Sequence, residues 1–137
     1  MGNIYTAALM EHNAHPDYKY DLENATDEHE GVNPSCGDHL WLKLKVEDGV
    51  IRDGAFVGEG CAISQASADI MLDLVIGKET EEALELAKRF FGMIQGTATE
   101  MDLEELEDAA ALQDVAHMPA RVKCAVLGWR TLEEGVG

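Results

Sequence analysis

The sequence predicts an α+β fold in which a small antiparallel sheet packs against several helices. Over residues 40–46, leucine or valine at every second position alternates with tryptophan or lysine, which predicts a strand with one buried face. Asp48-Gly49 is a strong hairpin signal, and residues 50–57 predict the returning strand. Gly54, inside that strand, indicates a bulge or a close backbone approach. Helical patterns flank this hairpin on both sides.

Five segments carry the apolar spacing or the end signals of helices. They are residues 4–11 before His15-Pro16, 62–76 before Gly77, a helix capped by Thr80 that stops before Gly96, 100–114, and a last helix with Pro119 in its first turn and Gly135 beyond its end. Residues 100–114 are acidic and predict an insertion that lies on the surface. Residues 17–31 are mostly charged or small, which predicts an extended loop that leads to the first cysteine.

The composition limits the class of protein. With 137 residues and 46% apolar content, the chain matches one ordinary domain, 1–137, with a single core. Its 27 acidic and 10 basic residues give a formal charge of -17, so phosphate backbones and anionic membranes would repel it. We therefore expect neither nucleic acid nor membrane as a partner.

The chain lacks the signals of export. No window approaches the run of about 20 apolar residues that crosses a bilayer, and the start has no basic segment followed by an apolar one. We therefore expect a soluble, cytoplasmic protein. Three cysteines, an odd number, argue against a disulfide framework and favour metal binding or thiol chemistry.

The surroundings of the cysteines favour a metal site. The three contexts are Asn33-Pro34-Ser35-Cys36-Gly37-Asp38, Gly58-Glu59-Gly60-Cys61, and Arg121-Val122-Lys123-Cys124. The glycines let the backbone approach a ligand closely, which core cysteines seldom need. The three thiolates and the Asp38 carboxylate make four anionic ligands, the number that a closed tetrahedral zinc site requires. Cys36 and Cys61 flank the predicted hairpin, whose ends lie side by side.

Other interpretations of these residues stay open on this evidence. Each cysteine alone fits a small buried hydrophobe, and Asp38 also fits a turn or a helix cap. The histidines compete for ligand roles, and either His39 or His117 could replace Asp38: His12, His15, His29, His39 and His117. The chain contains no Ser-His-Asp order, phosphate-binding glycine loop or dinucleotide fingerprint.

The two segments that run from Asn33 to Asp38 and from Gly58 to Ala68 resemble the signature segments of the NifU/IscU-like iron-sulfur cluster assembly scaffold family. His12 with Pro16 resembles a further pattern of that family. Lys123 stands where the IscU type has a histidine, the proline-rich motif upstream is altered, and residues 95–115 are similar to an insertion typical of the SufU branch. The resemblance implies a sheet of about three strands packed against helices.

The resemblance to SufU implies a zinc-dependent sulfurtransferase for iron-sulfur cluster biogenesis. Cys36, Asp38, Cys61 and Cys124 would bind Zn²⁺, and the partner would be a SufS-type cysteine desulfurase, which carries its own pyridoxal phosphate. A histidine of the desulfurase would replace one zinc ligand, and the freed Cys36 would accept the persulfide sulfur. Arg121 would help to dock the partner or steady the released thiolate.

Two other functions compete with sulfur transfer. The first is a scaffold on which a [2Fe-2S] cluster is assembled by the same four ligands, with other iron-sulfur assembly proteins as partners. The second is a structural zinc-binding interaction domain. The altered region before Cys124 favours sulfur transfer over the scaffold function.

Overall fold

A computed structural model describes residues 7–34 and 37–136. The described chain has α+β architecture, with three strands followed by most of the helical structure. In chain order the elements are α1 (Ala7–Ala14), β1 (Asp27–Asn33), β2 (Asp38–Glu47), β3 (Val50–Glu59), α2 (Ala62–Val75), α3 (Thr80–Gln95), α4 (Glu100–Leu106), a 3₁₀ segment (Glu107–His117) and α5 (Pro119–Val136). The strands form one antiparallel sheet in the order β1-β2-β3. The predicted fold class is confirmed.

The β2–β3 hairpin forms as its alternating pattern predicts. The leucines of β2 are buried on the inner face, whereas Trp41 and the two lysines lie on the other face and are half-buried. Asp48 and Gly49 both have positive φ, 54° and 76°, as a two-residue hairpin turn requires. Gly54 is a point of close approach, because a Cβ there would lie 2.8 Å from Cδ2 of Leu72.

The interpretation of residues 17–31 as a loop is wrong for its last part, which belongs to β1. This edge strand pairs with β2 from Asp27 opposite Leu44 to Asn33 opposite Asp38. Its sequence has almost no apolar residue, so it lacks the usual strand signal. It is held instead by α5, which packs so closely on Gly31 that a Cβ there would lie 2.1 Å from Oγ1 of Thr131.

The first helices begin and end close to the predicted positions, with one correction. α1 ends just before His15-Pro16, as predicted, while residues 4–6 of the predicted helix lie outside the described residues. α2 ends before Gly77, which has the expected positive φ of 92°. The prediction that Thr80 caps α3 is wrong. Glu79 is the N-cap, because its side chain and that of Glu82 form a reciprocal capping box.

The acidic segment after α3 is not a simple surface insertion, which corrects the prediction for residues 100–114. The helix type changes at Glu107, where α4 ends and the 3₁₀ segment begins. Glu107 has a φ of 49°. A 3₁₀ helix has three residues per turn, so apolar residues spaced by three share one face. The residues with this spacing are fully buried and extend the core: Leu106, Ala109, Leu112 and Val115.

The last helix starts at Pro119, as predicted, and carries Cys124 in its second turn. The prediction that Gly135 lies beyond the helix is wrong, because α5 continues to Val136. This glycine accommodates a neighbour rather than ending the helix, since a Cβ there would lie 2.3 Å from the ring of His29 on β1. None of the helices in residues 7–34 and 37–136 has the length and hydropathy needed to cross a bilayer.

Candidate metal centre

Three of the four predicted ligands meet at one end of the sheet. Asp38 starts β2, Cys61 lies between β3 and α2, and Cys124 lies on α5. Their ligand atoms, a carboxylate oxygen and two Sγ atoms, all lie within 4.8 Å of one another. Ligands of a tetrahedral zinc ion are separated by about 3.3 to 3.8 Å, given bonds of about 2.0 to 2.3 Å. Small side-chain adjustments therefore bring this set to coordination distance, and its two thiols and carboxylate suit zinc.

The elements position these groups by ordinary strand and helix geometry. Asp38 points to the same face of β2 as the buried Leu40 and is only 1% exposed. Cys61 is half-buried at the N-cap position of α2, with extended backbone angles and no side-chain capping bond. Its thiol is thus not engaged in closing the helix. Cys124 is fully buried in the second turn of α5.

The Asp38 carboxylate is held from two sides by hydrogen bonds. Its Oδ1 accepts from the backbone N–H of Cys61 at 2.9 Å. The Ser64 hydroxyl lies 3.2 Å from Oδ1 and 3.0 Å from the carbonyl oxygen of Cys61, and it can donate its one hydrogen to either. Its Oδ2 accepts from Nδ2 of Asn33 at 3.2 Å. A buried carboxylate without such donors would be strongly destabilising. These bonds therefore fix the orientation of the carboxylate beside the two thiols.

The predicted role of the glycines near Cys61 is confirmed. A Cβ on Gly60 would lie 2.3 Å from Oδ1 of Asp38 and 2.6 Å from Oγ of Ser64. Gly58 has a φ of 143°, and a Cβ there would lie 2.0 Å from the carbonyl oxygen of His39. Both positions need the absence of a side chain so that the β3–α2 connection can lie against the start of β2.

The fourth predicted ligand, Cys36, lies outside the described residues and stays a prediction. It belongs to the connection of residues 34–37 between β1 and β2, whose last paired residues are Asn33 and Asp38. Gly37, at the end of this connection, has a φ of 70°. The strand β2 already begins at Asp38, so the connection that carries Cys36 is short.

No histidine among the described residues joins the cluster of ligand atoms. His39 lies on the opposite face of β2, where its ring stacks on Trp41 and hydrogen-bonds the Glu30 carboxylate. His117 ends the 3₁₀ segment outside the cluster. The alternative in which His39 or His117 replaces Asp38 is therefore not supported. Alternation along β2 turns the His39 side chain away from the face that carries Asp38, and His117 lies outside the cluster.

Arg121 lies on α5 three residues before Cys124, about one helical turn away on the same side. It is half-buried, and its backbone N–H donates to the carbonyl of Met118 at 2.8 Å. Its predicted role in docking a partner or steadying a thiolate stays a prediction.

Asn33 and Ser64 have contacts at the site that the sequence did not predict. Both belong to the segments that carry the cysteines, but neither residue type is a usual zinc ligand. The sequence signal that could have identified them was their position three residues from Cys36 and Cys61, because a buried polar residue beside a metal ligand commonly orients that ligand.

The fold and the cluster together define a class: small α+β proteins with a metal-ligand set of thiols and a carboxylate at one end of a three-stranded sheet. The chain belongs to the family of the NifU-like N terminal domain, whose model matches residues 4–125. This is a family of iron-sulfur cluster assembly scaffold proteins, so the predicted resemblance is confirmed.

Similar proteins carry both names expected within the family. The zinc-dependent sulfurtransferase SufU of Bacillus subtilis is 40% identical over 136 residues, 99% of this chain and 91% of the relative. The iron-sulfur cluster assembly scaffold protein IscU of Thermotoga maritima is 41% identical over 133 residues, 97% of this chain and 92% of the relative.

Solved structures agree with the architecture. The SufU structure from Fervidobacterium islandicum AW-1 matches with a TM-score of 0.92 and 38% identity, covering 98% of this chain and 97% of that one. The N-terminal part of a NifU-like protein from Brucella abortus matches with a TM-score of 0.84 at 23% identity, covering 96% and 90% of the two chains. The second match supports the fold alone.

Proposed function

We propose that this protein is a zinc-dependent sulfurtransferase that accepts persulfide sulfur from a SufS-type cysteine desulfurase for iron-sulfur cluster biogenesis. The observation that carries the proposal is the convergence of Asp38, Cys61 and Cys124, whose ligand atoms lie within 4.8 Å of one another. Cys36 is the fourth ligand in this proposal. The chain limits its Cα to about 7 Å from that of Asp38, because only Gly37 stands between them.

The core supports a functional rather than a structural metal. Small zinc-finger domains need their metal because they lack a sufficient core. Here large side chains that are not candidate ligands are fully buried, including Phe56, Phe90 and Trp129. A metal that the fold does not require is retained for what it does to its ligands. A histidine of the desulfurase would replace Cys36 as a zinc ligand, because a neutral imidazole and a thiolate are both ordinary ligands of zinc.

Sulfur transfer in this proposal is a thiol exchange at Cys36. Bound Zn²⁺ keeps the thiols deprotonated without redox chemistry of its own. The Cys36 thiolate attacks the terminal sulfur of the desulfurase persulfide, forming a new S–S bond on Cys36. The S–S bond of the partner breaks and its cysteine leaves as a thiolate, so no external oxidant or reductant is needed. Pyridoxal phosphate belongs to the desulfurase.

Arg121 serves the same exchange in a supporting role. A guanidinium one turn from Cys124 places positive charge near a cluster of anionic ligands. The whole chain has a formal charge of -17, so cationic residues beside the site are the exception. Arg121 would therefore help to orient the anionic persulfide or to steady the Cys36 thiolate when it is released.

Similarity to the Bacillus subtilis SufU, a zinc-dependent sulfurtransferase by name, supports this function. Nearly equal identity to the Thermotoga maritima IscU supports a second candidate, the assembly of a [2Fe-2S] cluster on the same ligands. Lys123, where the IscU type has histidine, favours sulfur transfer.

The decisive experiment measures cysteine-dependent sulfide production by a SufS-type desulfurase with and without this protein loaded with Zn²⁺. Intact mass of this chain, followed in the same samples, should show one added sulfur on Cys36. The Cys36→Ala variant should accept no sulfur, while its neighbour Ser35→Ala should behave as wild type. Sulfur acceptance by Cys36→Ala would refute the proposal, and anaerobic cluster formation without activation would favour the scaffold.

A further inference from the structure

Asn33 is the last residue of β1 and lies opposite Asp38 in the register of β1 and β2. It is a polar residue with only 5% of its surface exposed. Its Nδ2 donates to Oδ2 of Asp38 at 3.2 Å and to Sγ of Cys124 at 3.8 Å. Asn33 thus contacts two of the candidate ligands, one next to it in the sheet and one on the last helix.

The chemistry of the amide allows both contacts at once. An asparagine side chain carries two N–H donors on one nitrogen, directed about 120° apart. One can point to the carboxylate and the other to the sulfur. A thiolate accepts such bonds readily, since it holds a full negative charge. Asn33 therefore bridges Asp38 and Cys124 and is suited to keep them at a constant separation.

The two oxygens of Asp38 have different donors. Oδ1 accepts from the backbone N–H of Cys61 at 2.9 Å. The Ser64 hydroxyl lies 3.2 Å from Oδ1, but its single hydrogen also has the carbonyl oxygen of Cys61 as an acceptor at 3.0 Å. Oδ2 accepts one bond, from Asn33, and keeps a second lone-pair direction open to a cation.

We propose that Asn33 is a positioning residue of the metal centre, which presents Oδ2 of Asp38 and Sγ of Cys124 to the ion together. This inference rests on the proposed metal site and adds a residue to it that is not a ligand. Loss of the amide should therefore loosen the site without removing any ligand.

The test compares Zn²⁺ affinity and Co²⁺ spectra of three variants with those of the wild type. Asn33→Ala should weaken Zn²⁺ binding about 10- to 100-fold, the usual effect of losing an outer hydrogen-bond partner of a ligand. Asn33→Asp keeps the shape but not the donors, so it should weaken binding at least as much. Both should shift the thiolate-to-Co²⁺ charge-transfer band, because the N–H bond to Cys124 is lost.

Asn24→Ala is the matched control, because it removes the same type of side chain at an exposed position outside the site. It should keep the Zn²⁺ affinity and the charge-transfer band of the wild type. Unchanged affinity and spectra in both Asn33 variants, with a wild type that binds one Zn²⁺, would overturn the role of Asn33 and leave the proposed function intact. A wild type that binds no Zn²⁺ would overturn both.

The wild type also gives a readout that depends on no substitution. In NMR spectra, the side-chain amide signals of Asn33 should move when Zn²⁺ is added, and they should couple to ¹¹³Cd across Sγ of Cys124 in cadmium-loaded protein. Amide signals that neither move nor couple would overturn the inference even where the variants fail to fold.

Discussion

The ring of His12 and the carboxylate of Asp69 lie 2.7 Å apart and join α1 to α2 at a point where Asp69 is fully buried. The other oxygen of Asp69 accepts from the backbone N–H of Tyr18 at 2.9 Å. Asp108, on the 3₁₀ segment, lies 3.6 Å from the far side of the His12 ring. One buried carboxylate therefore ties the N-terminal helix and the segment after it to the centre of the fold.

This contact predicts a specific dependence of stability on pH. Burial opposes the charged ring, but the hydrogen bond and charge of Asp69, followed by those of Asp108, outweigh it and raise the pKa of His12 above 6.5. Burial raises the pKa of Asp69 above its usual value, so the ion pair contributes its full stabilisation only between that raised pKa and pH 6.5. This contribution is lost as pH rises through the raised pKa of His12. His12→Gln should lower the free energy of unfolding by about 1 to 3 kcal/mol at about pH 6, where His12 is charged.

Denaturant unfolding between about pH 6 and pH 9 measures the effect. The stabilities of His12→Gln and wild type should converge as pH rises. The exposed His15→Gln is the control and should follow the wild type throughout. Parallel curves for His12→Gln and wild type would show that the pair contributes no pH dependence.

Asp38→Ala should weaken Zn²⁺ binding more than any change outside the cluster. It removes a ligand, and it also leaves the backbone N–H of Cys61 without its acceptor and the Asn33 amide without one of its two acceptors. The unmet buried donors should cost about 1 to 3 kcal/mol of stability even without metal. Zinc competition with a chromophoric chelator and thermal unfolding measure the two effects. Asp53→Ala on β3 is the control, and equal affinity of the two variants would contradict this assignment.

Gly60→Ala tests the close approach at the site. The new methyl group would meet Oδ1 of Asp38 and Oγ of Ser64 at less than van der Waals distance. Forced displacement of the carboxylate should reduce Zn²⁺ affinity and cost about 1 to 3 kcal/mol of stability. Gly92→Ala, in α3, adds the same group where its nearest contact is Oγ1 of Thr97 at 3.2 Å, and should retain full affinity. Wild-type binding by Gly60→Ala would be inconsistent with the geometry.

Leu112→Ala should destabilise the protein strongly, because the acidic segment belongs to the core. Leu112 is fully buried in the 3₁₀ segment, and truncation of a buried leucine costs about 2 to 5 kcal/mol. Glu104→Gln, on the exposed face of α4, should change stability by less than about 0.5 kcal/mol. Denaturant midpoints measure both variants. A Leu112→Ala midpoint equal to that of Glu104→Gln would restore the prediction of a surface insertion.

The sequence predicted the parts of the structure that depend on local patterns. The alternation in β2 and the turn at Asp48-Gly49 determine one hairpin, and that hairpin alone brings Asp38 near Cys61. Pro119 and the apolar spacing after it predict the start of α5. These signals depend on residues that lie close together in the chain.

The remaining parts depend on packing between distant segments. β1 has no apolar pattern and forms because Gly31 fits beneath Thr131, and Gly135 makes room for His29. Thr80 has the usual residue type of an N-cap, but the N-cap of α3 lies one residue earlier, in a capping box of Glu79 and Glu82, whose residue pair is not the usual capping signal. The contact of Asn33 with Cys124 exists only after α5 has packed on the sheet, so no local pattern predicts it.

The separation of Asn33 and Cys124 by 91 positions has a consequence for synthesis of the protein. A ribosome releases the segment of Asp38 and Cys61 well before it makes α5, and loops of this length close slowly. During that interval the nascent chain offers an ion only an incomplete set of ligands. Cys124 therefore joins Asp38 and Cys61 only when α5 has docked on the sheet, so this set of candidate ligands exists only in the folded chain.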